Sequence, residues 1–198
     1  MLEGILTLPT DRMTGPKHIW LLAGYAGSGK DTVAGILQNL LGHSRAATSS
    51  FAGAVKDEVA TMYELDRAYL DTQEGKARGM KLADGRFVSV RQLIIEHAET
   101  TKRTSGDPAI WAKRIQPPPA AEHWILSDWR FPEELQSLQQ RFPESRIHTL
   151  RVHRPSVQPS TSYTEHLITS FPYEYIIDNS GSLLYIGTQL ERVLKTVV

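Results

Sequence analysis

Three glycines and a lysine carry the strongest chemical signal in this chain: Gly24, Tyr25, Ala26, Gly27, Ser28, Gly29 and Lys30 fit the spacing G-x-x-x-x-G-K. A loop of this type turns successive backbone N–H groups inward at the start of a helix, where they and the helix dipole hold phosphate. The Lys30 ammonium is then placed to reach β and γ phosphates. A lysine in a first helical turn opposes the macrodipole, so it is out of place unless an anion meets it. The next residue departs from the usual Ser or Thr, being Asp31 with Thr32 behind it. Direct ligation of magnesium by a hydroxyl is not expected at that point, and Asp31 is a candidate to hold a metal-bound water. Two other readings compete, a dinucleotide-binding turn and a plain strand-to-helix turn. The first lacks its middle glycine, Ala26 standing there, and has no acidic residue about twenty positions on to hold a ribose.

The elements that must position this loop follow from the pattern of apolar residues. His18 to Ala23 is a short apolar run closed by Gly24, the mark of a buried strand. From Asp31 to Leu41, Val33, Ile36, Leu37, Leu40 and Leu41 recur at helical spacing, and Gly42 suits the helix end. A second strand is expected within Arg45–Ser50, then a helix over Phe51–Glu64 capped by Ser49 or Ser50. Residues 65–87 give no clear pattern. Val88–Thr101 and Asp107–Ile115 read as helices, the second opening on Asp107-Pro108 as cap and first turn, and the prolines at 117–119 end it. A strand over His123–Ser127, a helix from Phe131-Pro132 to about Arg141 and a strand over Arg146–His153 follow. Pro155–Thr164 is rich in Pro, Ser and Thr and reads as an exposed loop; Tyr175–Ile177 is a last strand and Leu183–Val197 a last amphipathic helix. Strands alternating with helices predict an α/β fold with a parallel sheet covered on both faces. Ligands bind such sheets beyond the carboxyl ends of the strands, where Gly24, Asp128, Arg154 and Asp178 all fall.

Composition narrows the class. The 198 residues suit one domain; 40% are hydrophobic and 22% charged, ordinary for a globular chain. Lys and Arg number 22 against 22 Asp and Glu, which argues against a protein that coats nucleic acid and needs excess cations to do so. The absence of cysteine removes disulfides, thiol catalysis and cysteine-bound zinc. The longest apolar runs fall far short of the roughly 20 residues that span a bilayer, and Glu3, Pro9 and Asp11 spoil the N-terminus as a signal peptide. A soluble cytoplasmic protein with a loose extension over residues 1–17 is expected, without membrane or stable nucleic-acid partners; a homodimer is compatible with the composition.

Five stretches occur in a fixed order: Gly29 to Thr32; Phe51-Ala-Gly-Ala-Val-Lys56-Asp57; Val90-Arg91-Gln-Leu; Ser127-Asp-Trp-Arg-Phe-Pro-Glu133; and Ile177-Asp-Asn-Ser-Gly-Ser182. Together they resemble the deoxynucleoside monophosphate kinases of tailed phages and large DNA viruses, over about residues 18–195. Phosphomevalonate kinases of the animal type and dephospho-CoA kinases share the loop and are more distant. The resemblance implies a nucleoside monophosphate kinase fold: a three-layer sandwich on a five-stranded parallel sheet, a helical acceptor-binding insert (51–116) and a short lid (154–167) within a kinase domain over 18–198. It implies transfer of the γ-phosphoryl group of ATP to a deoxynucleoside monophosphate, with Mg2+, in the host cytoplasm if the chain is viral. Residues 24–32, with Arg154 and Asn179, would bind ATP; Asn179 would border the adenine, where a turn-forming Asn explains it equally well. Lys56, Arg91, Trp111, Asp128 and Arg130 would meet the acceptor, Trp111 by stacking on the base unless it belongs to the core. Lys30, Asp128, Arg130 and Arg154 would be catalytic, and Asp31 and Asp128 would serve the metal, although a helix cap is an alternative role for Asp128. Ala26 and Gly27 stand where the phage enzymes tend to carry basic residues, and Glu96-His-Ala-Glu99 where relatives commonly show Gly-Thr-Glu. The runner-up functions are a kinase of another phosphorylated small molecule and a module that holds ATP without transferring it.

Overall fold

A computed structural model describes residues 15–160 and 163–197. The first 14 residues of the expected extension, and residues 161–162 of the expected lid, lie outside this range. The central strand β1 (His18–Ala23) runs into the glycine loop, followed by α1 (Lys30–Leu41) and β2 (Ala46–Ser49). Then come α2 (Phe51–Met62), a 3-10 turn (Tyr69–Asp71), α3 (Gln73–Ala77), β3 (Gly79–Lys81), β4 (Phe87–Ser89), α4 (Val90–Ser105) and α5 (Ile110–Arg114). The chain returns to the sheet with β5 (His123–Leu126), α6 (Pro132–Arg141), β6 (Arg146–His153), α7 (Tyr163–Leu167), a 3-10 turn (Ile168–Ser170), β7 (Tyr175–Asp178) and α8 (Leu183–Val197).

Five parallel strands in the order β2-β5-β1-β6-β7 make the main sheet. Because β1 is central, its side chains alternate between two dry faces, and this explains why its apolar run is unbroken. Trp20 and Leu22 join Val33 and Leu37 of α1 and Ile186 and Leu190 of α8 on one face. Ile19, Leu21 and Ala23 meet Phe51, Ala112, Leu138 and Phe171 on the other. A third cluster, around Val55, Val59, Leu70, Leu93 and Trp111, holds the segment from α2 to α5 together.

That segment differs from the expectation in three places. Residues 79–89 form an antiparallel hairpin, β3 with β4, closed by Asp84-Gly85, Gly85 standing at φ +86. The helix expected from Asp107 starts at Ile110, because Asp107 first makes a turn, its carboxylate accepting from Ala109 N (3.0 Å) and its carbonyl from Ile110 N (3.3 Å), while Lys113 Nζ reaches back from the helix to the same carboxylate (2.7 Å). Ser50 takes the N-cap position of α2, but its side chain makes no capping bond.

The end of the sheet opposite the glycine loop carries a histidine cluster. His18 and His123 begin adjacent strands and stack at 4.8 Å, and His148 stacks on Trp20 at 4.2 Å. Nδ1 of His18 lies 3.1 Å from Nε2 of His148, and Trp20 Nε1 donates to His123 Nδ1 at 3.3 Å. Burial first, then the neighbouring His18, push His123 and His148 down to about 4. Both rings are therefore neutral in the fold at a pH where the unfolded chain would protonate them. Stability is then constant on this account above pH ~6.5 and falls as the pH drops towards 4, by on the order of 3 kcal/mol for each ring. Urea unfolding between pH 8 and 4 checks this: His123→Asn combined with His148→Phe should flatten the loss between pH 6.5 and 4.5, and an unchanged slope would reject the histidines as its source.

Candidate active site

The glycine loop sits at the crevice where β1 is flanked by β5 and β6, beyond the carboxyl ends of these strands. Ser28 N donates to Tyr25 O at 3.0 Å, and Gly27 and Gly29 take φ of +78 and +89, a region that L side chains rarely enter. Gly29 is constrained a second way, since a Cβ there would come within 2.3 Å of Asn179 Nδ2. Gly24 must also stay bare, because a Cβ would meet Ser28 Oγ and Val152 O at 2.6 Å. Lys30 folds back on the loop and donates to Gly24 O (2.8 Å) and Tyr25 O (2.9 Å). Burial, and then the charge of Arg130, draw its ammonium below the ordinary lysine range. Ser28 Oγ is buried with no hydrogen-bond partner among the described residues.

Three neighbours complete the loop. Asn179, after β7, donates from Nδ2 to Ser28 O (2.7 Å) and from its backbone N to His153 O (2.7 Å). Its side chain thus braces the loop as well as bordering a cavity of about 530 Å3 lined by Gly29, Thr32, Arg154, Asn179, Gly181 and Leu183 among others. Arg154 stands just past the end of β6, at the rim of this cavity, whereas Arg151 stays in the strand over the Tyr25 ring at 5.9 Å. Asp31 accepts from Ser127 Oγ at 2.8 Å, joining α1 to the end of β5. Glu165 of α7, which the sequence reading did not single out, accepts from Ala26 N at 2.7 Å. No local motif marks it; only the fold brings it across 139 residues to the loop.

Asp128 stands at the end of β5, and both its oxygens are engaged. Oδ1 accepts from Phe51 N (2.8 Å) and Oδ2 from Ala52 N (2.9 Å), so it caps α2 across the sheet. The cap role weighed for it at the following helix belongs to Glu134 instead, whose Oε2 accepts from Arg130 N (2.9 Å) and Phe131 N (3.1 Å). Burial pushes the Asp128 carboxyl up, opposed by these two N–H donors and by Arg130. The Arg130 guanidinium lies within electrostatic reach of Lys30, Asp128 and Glu165, yet it has no ion pair among the described residues. Among the described residues, no group of three or more His, Asp or Glu is arranged to hold a metal ion.

On the far wall, Lys56 of α2 bonds Asp71 Oδ1 at 2.6 Å, and Arg67 bonds Asp71 Oδ2 at 2.7 Å. Lys76, unremarked in sequence, donates to Asp71 O at 3.2 Å and feels the charges of Lys56, Arg91 and Asp31. Arg91 is exposed and donates to Gln73 Oε1 at 2.9 Å. Trp111 does not join them. It is 3% exposed, packs in the third core cluster and donates its N–H to Ala98 O at 3.2 Å, so its expected stacking on a base is corrected to a core role.

No protein-family model matches the chain. Among solved structures it is similar to the shikimate kinase of Aquifex aeolicus, at 14% identity and a TM-score of 0.41, over 91% of this chain and 95% of that one. It is also similar to the Mycobacterium tuberculosis APS kinase CysC in complex with AMPPNP and APS, at 13% and 0.40, over 92% and 98%. A gluconokinase of Sinorhizobium meliloti matches at 10% and 0.40, over 94% and 97%. No helix among the described residues is long and apolar enough to cross a membrane.

The double cap at Asp128 generates a stability test. Asp128→Ala leaves two N–H groups at the start of α2 without acceptors, and should cost about 2–4 kcal/mol in urea unfolding. Asp128→Asn keeps one acceptor and should cost about half as much. A loss under ~0.5 kcal/mol for the alanine variant would remove Asp128 from the cap.

Proposed function

We propose that this protein transfers the γ-phosphoryl group of ATP to the phosphate of a small acceptor, and that the acceptor is a deoxynucleoside monophosphate. The observation that carries the reading is the pairing of Lys30 and Arg130. After burial, the charge of Arg130 is what draws the Lys30 ammonium below the ordinary lysine range, so two cations face one another beside the glycine loop, and Arg130 has no ion pair among the described residues. An anion of high charge density resolves that conflict, and a polyphosphate facing an acceptor phosphate supplies one.

In this reading an oxygen of the acceptor's phosphate attacks the γ-phosphorus, and the bond to the β–γ bridging oxygen breaks, giving the diphosphate and ADP. The acceptor oxygen is already anionic, so positioning and charge neutralisation do most of the work. The loop N–H groups and Lys30 hold the β and γ phosphates, and Arg130 lies between donor and acceptor. Lys56 and Arg91, with Lys76 beside them, draw the acceptor's phosphate to the far wall. Arg154 and Asn179 border the cavity offered to the base and ribose of ATP. The oxygen-rich set of Asp31, Ser127 and Thr32 fits a magnesium ion held through its waters, with Asp128 behind it already committed to α2. When bound, the ion neutralises charge on the β and γ phosphates. The nucleotide acceptor is favoured by the residues at 127–133 and 177–182, which resemble those of the phage and viral enzymes.

A coupled ADP-release assay across the deoxynucleoside monophosphates, with phosphomevalonate and dephospho-CoA alongside, tests the substrate class; turnover with none of the nucleotides rejects it. Lys30→Ala and Arg154→Ala should each lower kcat by 10³-fold or more while leaving the circular dichroism spectrum unchanged. A near-normal rate in either variant removes that residue from its role.

A further inference from the structure

Glu165 has a place in the site that the reaction above does not use. Its side chain is 3% exposed, and both oxygens go to backbone donors: Oε1 accepts from Ala26 N at 2.7 Å and Oε2 from Ser160 N at 2.5 Å. Ala26 is the third residue of the glycine loop, so a carboxylate of the chain itself already takes one of the donors that an incoming anion would seek. Burial alone would raise this carboxyl, but the two hydrogen bonds and the Arg130 charge outweigh it and hold it below the ordinary glutamate range. It is therefore a full negative charge at neutral pH, and the charge of Lys30 reaches it as well. The cavity suited to a base and ribose is bordered by Thr32, Arg154 and Asn179, with Glu165 absent from its lining, whereas Glu165 lies near Arg130. Along a bound polyphosphate, this puts Glu165 towards the terminal phosphate.

We infer that Glu165 is a specificity-determining residue, a fixed internal anion that opposes the terminal phosphate of a nucleoside triphosphate and leaves a diphosphate almost untouched. The inference rests on the reading of the glycine loop as a nucleotide site. Like charges a few ångströms apart, in surroundings less polarisable than water, repel strongly enough to change an affinity by about tenfold. The repulsion acts before transfer and is relieved when the terminal phosphoryl group leaves. Part of the binding energy is thereby withheld from the reactant state and released on the way to products.

Calorimetric titration with ADP and with AMP-PNP, on the unaltered protein and on Glu165→Gln, tests this directly without any acceptor. The glutamine variant should bind AMP-PNP about tenfold more tightly and ADP within twofold of the unaltered protein. Glu165→Asp, which keeps the charge, should keep the original ratio of the two affinities. In turnover the glutamine variant should show a lower KM for ATP together with a lower kcat, as when strain is removed from a bound reactant. Equal changes for both nucleotides, or an aspartate variant that behaves like the glutamine one, would mean that Glu165 acts by shape and hydrogen bonding, and would overturn the inference while leaving the nucleotide site standing. If the glutamine variant fails to fold, Glu165→Thr provides the same neutral comparison. Binding of neither nucleotide to the unaltered protein would overturn both readings together.

Discussion

The glycine loop cannot hold its shape from its own sequence alone, and the organisation of the rest follows from that constraint. Gly27 and Gly29 sit in a left-handed backbone region, and such a turn leaves carbonyls and N–H groups pointing away from any regular partner. Side chains meet several of those groups, two of them from distant parts of the fold. Lys30 closes on the carbonyls of Gly24 and Tyr25, Asn179 on that of Ser28, and Glu165 on the N–H of Ala26. The parallel sheet makes this convergence possible, because β1, β6 and β7 all end on the same side with β1 in the centre. Any element that shifted by one residue of register would carry its partner out of reach.

Charge in the cleft is arranged by a related rule. Asp128 and Asp71 are two of the carboxylates that anchor backbone or side chains of the segment between α2 and α5, the first through the N–H groups of α2 and the second through Lys56 and Arg67. Both are tied to protein donors, which leaves Arg130 without an ion pair among the described residues. A cation held by geometry without an ion pair is prepared to meet a ligand's charge at little cost in reorganisation. Asp31 is the exception among the nearby carboxylates, being exposed and, among the described residues, held only by the Ser127 hydroxyl.

Much of this was legible in the sequence wherever the pattern is local. The five main strands, the helices on either face and the glycine loop all follow from short apolar runs, helical spacing and the G-x-x-x-x-G-K motif. The hairpin at 79–89 was readable in principle, since Asp84-Gly85 is a turn signal, but its strands are three residues each and too short to show alternation. What the sequence could not display were bonds between distant residues. Asp128 looked like a site carboxylate or a cap for the helix beside it, and nothing near it in the chain points to Phe51 and Ala52. Trp111 could be read as a stacking platform until its N–H was seen to be bonded to Ala98 O inside a cluster of aliphatic side chains. Glu165 and Lys76 stand in polar stretches with no periodicity, so only their neighbours in space reveal them.

The long reach of the contacts around the loop has a consequence for how the protein is made. Ser28 is braced by a residue 151 positions later, and Ala26 by one 139 positions later. While the chain is still emerging from the ribosome, β1 and α1 are exposed long before β7 exists to be paired, and the loop must wait as an unfinished turn until nearly the last strand is synthesised. A fragment ending before Asn179 would lack that brace, whatever the state of its early helices. Completion of the loop is in this sense a late event that waits on every element from β1 to β7.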